Sequence, residues 1–79
     1  MLLRIISPSG EKKFDIDWIE VDTPVGNFVI HTGHAPTVLT LLPNHDVVFQ
    51  FKKGHKESIT ISRGIIEITR EAATIIVSE

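Results

Sequence analysis

Cysteine is absent from the 79 residues, so neither a disulfide nor a thiolate metal site can reinforce the fold. That absence favours a reducing compartment. No sign of charge is in excess either: eight Lys and Arg stand against ten Asp and Glu, a net charge of −2. A surface for nucleic acid or anionic lipid would show a clustered basic excess. Apolar runs last only a few residues, far short of the roughly 20 that cross a membrane. Met1–Ile6 is too short for a signal peptide, and Arg4 sits in the wrong place for one. The five glycines are dispersed singly, so no phosphate-cradling loop is present. Ser7, Ser58 and Ser62 have no recognisable base partner or elbow motif, which removes a hydrolytic triad. Repeats, low-complexity stretches and linkers are also missing. A chain this short makes one domain, near the size at which a single core is only just sufficient.

What is present is a period of two. Leu3–Ser7 reads as a first strand, closed by a turn at Ser7-Pro8-Ser9-Gly10. Phe14, Ile16 and Trp18 then alternate with Asp15 and Asp17, but past Trp18 the apolar parity switches to Ile19 and Val21. A one-residue slip reverses every side chain of a strand, so a bulge or bend near Trp18 is expected. Thr37–Leu42 reads as a strand or a short irregular segment, and Pro43–Asp46 as a break. Val47, Phe49 and Phe51 mark the next strand, and Lys53-Gly54-His55-Lys56 a hairpin turn. Ile59 and Ile61 mark the return strand, and Ile66 and Ile68 the one after Arg63-Gly64. Ile68, Ala72, Ile75 and Ile76 have helical spacing, but Thr74–Val77 is a β-branched run. A strand is expected there, preceded by a turn near Arg70–Ala72. About seven to ten short strands separated by turn residues predict an all-β sandwich or barrel.

The chain centres on Gly26–Pro36, G-N-F-V-I-H-T-G-H-A-P. Thr23-Pro24-Val25-Gly26 before it has the pattern of a type I turn. Phe28 and Ile30 alternate with Val29 and His31, as in a strand with one face inward. Gly33 permits a bend, and Pro36 fixes its own φ and holds Ala35 extended. A stiff loop presenting His34 at a sheet edge is expected, with no nucleophile or acid pair beside it: a binding surface, not an active site.

His31, His34, His45 and His55 invite a metal reading, but closed sites need three or four converging ligands. His45 and His55 read as solvated turn residues. Asp15, Asp17, Glu20 and Asp22 read as a solvated acidic face without anything to raise a pKa. Lys52, Lys53 and Lys56 form a solubilising hairpin tip. Phe14, Trp18, Phe28, Phe49 and Phe51 read as core residues, since they alternate with polar ones.

The Gly26–Pro36 segment resembles the Gly-x-Phe-Gly-Ile/Val-x-x-Gly-His-Ala-Pro signature of the ε subunit of F-type ATP synthases (the δ subunit in mitochondria). Leu3-Arg4-Ile5-Ile6-Ser7-Pro8 resembles the family's opening, Ser62–Ile68 a late family segment, and Thr74–Glu79 its ending. The resemblance runs over nearly the whole chain, with Val29, Thr23 and Arg63 standing where the family often has Gly.

It implies that residues 1–79 are one all-β domain, a flattened ten-stranded β-sandwich of two five-stranded sheets without a C-terminal helical hairpin. It implies a non-catalytic central-stalk subunit that binds the γ subunit and the c-subunit ring and couples ion flow to ATP synthesis. No cofactor, metal or nucleic acid is implied. Ser7, His34 and Val38 would face γ; Gly26, Asn27 and Phe28 would approach the c ring; Gly33 and Pro36 would shape the turn. The subunit would lie at the cytoplasmic face of the inner (plasma) membrane, held there only through the complex. The family usually adds a C-terminal helical hairpin that inhibits ATP hydrolysis and in some members binds ATP. If the chain is naturally short, neither property is expected of it. The competing expectation is a free-standing β-sandwich that binds another protein or a small ligand, marked by a pocket and by the absence of an exposed apolar patch.

Overall fold

A turn of Ser or Pro with Gly recurs between runs of alternating apolar residues, and each run becomes a strand. In the computed structural model, which describes residues 1–78, there are eight strands and no helix. They are β1 (Leu2–Ser7), β2 (Gly10–Thr23), β3 (Gly26–His31), β4 (Thr37–Thr40), β5 (His45–Phe51), β6 (Lys56–Ile61), β7 (Gly64–Ile68) and β8 (Ala72–Val77). The ambiguous last segment is a strand, because the Thr74–Val77 run packs on a pleated surface better than in a helix.

Pairing is continuous through the order β4-β7-β8-β1-β2-β5-β6, with β3 also on β2. β2 is 14 residues long and serves two layers. Its first part, Gly10–Asp15, pairs with β1; its second, from Ile16 to Thr23, pairs with β5 and β3. The sheet therefore curls along β2 into two facing arms. Arm I holds β4, β7, β8, β1 and the start of β2; arm II holds β3, the rest of β2, β5 and β6. The expected ten strands in two five-stranded sheets are not found: one continuous curled sheet of eight strands takes their place. β2 joins the two halves: it runs unbroken through the expected bulge and pairs on both arms. The molecule is flattened, with extents of 29 × 27 × 19 Å.

The bulge lies between Ile16 and Trp18, where the register shifts. It corrects one expectation. Trp18 is not in the core: the shift places it on the outer face, opposite His31 and Gln50. There its Nε1 donates to Gln50 Oε1 at 3.2 Å, and Lys56 Nζ sits 5.6 Å from the ring centroid.

The core joins both arms. Leu3, Ile66, Ile68, Ala73 and Ile75 come from arm I, and Ile19, Val21, Ile30, Val47 and Phe49 from arm II, all buried. Phe14, Phe49 and Phe51 form a triangle with centroids 5.3 to 5.6 Å apart, tying the two segments of the curl together. Gly64 is needed for close approach: a Cβ there would stand 2.6 Å from the Ile76 carbonyl oxygen.

Candidate functional site

The loop after β3 bends where the sequence has Gly33, which takes φ +89°. Two backbone bonds hold it. The Gly33 N–H donates to the Arg70 carbonyl at 2.9 Å, and the His34 N–H donates to the His31 carbonyl at 3.2 Å. Arg70 belongs to the β7–β8 turn, itself closed by Thr69. The Thr69 N–H donates to the Ala72 carbonyl at 2.8 Å, and the Ala72 N–H donates to Thr69 Oγ1 at 3.1 Å. The loop is thus braced by a distant turn. His34 is half-buried, with Nδ1 2.7 Å from the Ala35 carbonyl oxygen. Pro36 then feeds directly into β4, which begins at Thr37.

Val38, four residues beyond His34, is 62% exposed on the outer face of β4. Its register partner is Glu67, and diagonally across from it lies Ile65. Ile65 opposes Ile76, and Ile76 opposes Ile6, so the outward isoleucines of β7, β8 and β1 form one row. Ile65 and Ile76 are 39% and 44% exposed, and Ile6 is half-buried. A contiguous apolar stripe thus crosses arm I and ends at Val38. Its β1–β2 end is closed by Arg4, whose Nε donates to Glu11 Oε2 at 2.7 Å. That contact holds the Glu11 carboxyl below its ordinary range and raises the Arg4 guanidinium further.

The row was not singled out from the sequence, yet a signal existed. Ile5-Ile6, Ile65-Ile66 and Ile75-Ile76 are doublets. In a strand one member of a doublet must face outward.

Ser7 ends β1 at the Thr40 end of arm I, while the His34 loop enters at the Thr37 end. Ser7 and His34 therefore mark opposite ends of the arm. Ser7 lines a half-open groove of about 330 Å³, with Ile5, Lys12, Ile59, Ile61 and Val77 among its walls. Gly26 and Asn27 are exposed on the β2–β3 hairpin, where Asn27 Nδ2 donates to Asp22 Oδ1 at 2.9 Å. Phe28 turns inward against the core. Buried Thr23 fixes the hairpin tip: its Oγ1 donates to the Gly26 carbonyl at 2.9 Å and accepts the Val25 N–H at 3.2 Å. Val25 at that tip is 79% exposed, and sequence reasoning passed over it. Among the described residues, no three His, Cys, Asp or Glu side chains converge as a metal site. His45 Nδ1 lies 2.8 Å from the Pro43 carbonyl oxygen, and the His55 ring lies against Phe51 with centroids 4.5 Å apart.

Comparison with known proteins agrees with the resemblance carried by Gly26–Pro36. The ATP synthase epsilon chain of Staphylococcus haemolyticus is 34% identical over 77 residues, covering 95% of this chain and 56% of the relative. That of Staphylococcus epidermidis is 35% identical over the same length and shares. The chain thus spans little more than half the length of these relatives. In fold it is similar to a chain of the Euglena gracilis mitochondrial ATP synthase (OSCP/F1/c-ring) at TM-score 0.87 and 22% identity, covering 98% of this chain and 49% of that one. It is also similar to a chain of the Tetrahymena thermophila mitochondrial ATP synthase central stalk and c-ring, at TM-score 0.82 and 17% identity, covering 100% and 63%. The family model for the ATP synthase Delta/Epsilon chain beta-sandwich domain matches residues 1–79, and the chain belongs to that family.

Proposed function

We propose that this chain is a non-catalytic central-stalk subunit of an F-type ATP synthase, acting as one domain over residues 1–79. It binds the γ subunit and the ring of c subunits and helps couple ion translocation to ATP synthesis. The observation that carries this reading is the apolar stripe Ile6–Ile76–Ile65–Val38 running up to the signature loop. Such a stripe on a small domain is stable in water only at a cost. Covering it contributes roughly 1 kcal/mol per half-exposed aliphatic side chain. A braced loop adds shape without losing much entropy on docking.

In this reading His34 and Val38 meet γ from one end of arm I, and Ser7 meets it from the other. Gly26 and Asn27 present the β2–β3 hairpin to the c ring, while Phe28 anchors that hairpin to the core. The subunit sits at the cytoplasmic face of the membrane through the complex alone. One observation favours the alternative of a free-standing binding module, namely the half-open groove beside Ser7. That groove is the open end of the curled sheet, and its rim of Ser9, Glu11, Lys12 and Thr60 is polar.

The test is co-purification of tagged chain with the host's γ subunit, comparing wild type with the double variant His34→Ala, Val38→Asp. One-to-one recovery that is lost in the variant is expected. Failure to recover γ at any salt concentration would sink the assignment.

A further inference from the structure

Taking the docking reading above as its basis, we propose that His34 reads its partner as a hydrogen-bond acceptor. Its neutral ring carries the proton on Nδ1 and offers the Nε2 lone pair to a donor on the docked chain. The Nδ1 atom lies 2.7 Å from the Ala35 carbonyl oxygen. A carbonyl oxygen only accepts, so Nδ1 carries hydrogen, and in the neutral ring Nε2 carries none. This is the less common tautomer of the free histidine side chain, and the loop selects it. Pro36 keeps Ala35 extended, and the Gly33 and His34 backbone bonds to Arg70 and His31 fix the ring's base.

Nε2 has no hydrogen-bond partner among the described residues, and no half-buried or buried side chain there holds a sealed, unpaired nitrogen or oxygen. Nε2 of half-buried His34 is therefore open to solvent. Four residues further on, exposed Val38 ends the apolar stripe. The surface that fits is an apolar one with a hydroxyl, amide N–H, ammonium or guanidinium donor set beside it. A carboxylate or carbonyl there would face a lone pair and be refused by the neutral ring. A side chain that offers no lone pair at that point would leave the partner's donor unpaired once the surfaces close.

Two measurements test this. Long-range proton–nitrogen NMR of the chain at pH 8 is expected to show His34 as the Nδ1–H tautomer. Titration with the γ subunit at the same pH is expected to weaken at least tenfold for His34→Phe, which removes the acceptor, and less than threefold for His34→Gln, which carries an amide oxygen near the Nε2 position. An Nε2–H tautomer in the spectrum would overturn the inference whether or not γ binds. Equal γ binding by wild type and His34→Phe would overturn it while leaving the docking reading standing. Absence of γ binding by every chain would sink both.

Discussion

The outer faces of the two arms are built by the same alternation and carry opposite chemistry. On arm II, His31, Trp18, Gln50 and Lys56 lie in one row, and Val29, Glu20, Val48 and Ser58 in the next. Its larger groups satisfy one another: Trp18 with Gln50 and Lys56, Asn27 with Asp22, and Thr60 Oγ1 with Asp46 Oδ1. On arm I the corresponding row is Thr40, Ile65, Ile76, Ile6 and Glu11, and only its end is paired, through Arg4. One face is complete in itself, whereas the other gains from being covered. The proposed docking thus rests on which strands carry isoleucine doublets, not on the pockets.

The largest effect comes from breaking what the two faces share. Phe49 is fully buried and touches both segments of the curl through Phe14 and Phe51. Phe49→Ala should destabilise the domain by about 3–5 kcal/mol, enough to threaten folding at this size. Denaturant unfolding should show both arms lost in one transition. Survival of arm II alone would mean that the arms are separate units.

A smaller effect sharpens the contrast directly. Ile65→Asp puts a charge in the stripe, and Val29→Asp puts one on the other face, where Val29 is 49% exposed. Burying an unpaired neutral polar group under a partner costs about 1–3 kcal/mol and a carboxylate more, so the loss is at least roughly tenfold in affinity. Isothermal titration with γ should show that loss for Ile65→Asp and less than about threefold for Val29→Asp, with both chains folded. Equal losses would erase the distinction between the faces.

The contrast also explains what could be read in the sequence. Alternation located the strands, because a half-buried strand repeats every second residue, as in Val47-Val48-Phe49-Gln50-Phe51. The parity switch past Trp18 announced the bulge, which lies one step earlier, between Ile16 and Trp18. It did not say on which side of the slip Trp18 falls, and hydrophobicity pointed inward while the pairing with Gln50 pointed outward. The number of strands was legible only as a range of seven to ten, which the eight found fall within, because whether β2 breaks or runs on depends on long-range partners on two arms. The signature loop was legible as a stiff bend, since Gly33 and Pro36 act locally. Its brace at Arg70 was not, because a contact to a carbonyl 37 residues away leaves no mark on side-chain identity. The stripe fell between these cases. Each doublet was visible, but their alignment needed the parallel β1–β8 pairing.

The smallest effect concerns the paired end of the stripe. Arg4 donates to Glu11 across β1 and β2, and this hydrogen bond is the main cause of the lowered Glu11 pKa, with the Coulomb attraction of Arg4 and Lys13 adding to it. A carboxyl whose folded pKa is depressed contributes stability that is fully present above its unfolded value, about 4.3. That contribution disappears as pH falls through the lower folded value. Glu11→Gln should therefore lower Tm slightly at pH 7, and the difference from wild type should shrink towards zero as the pH drops below about 4. Salt at 1 M should shrink it too, since the pair faces water. In the γ complex the same pair would be covered, screening would weaken, and the variant should bind less tightly at neutral pH. A Glu11→Gln chain whose Tm difference is unchanged at acid pH would show that the pair ends the stripe by shape alone.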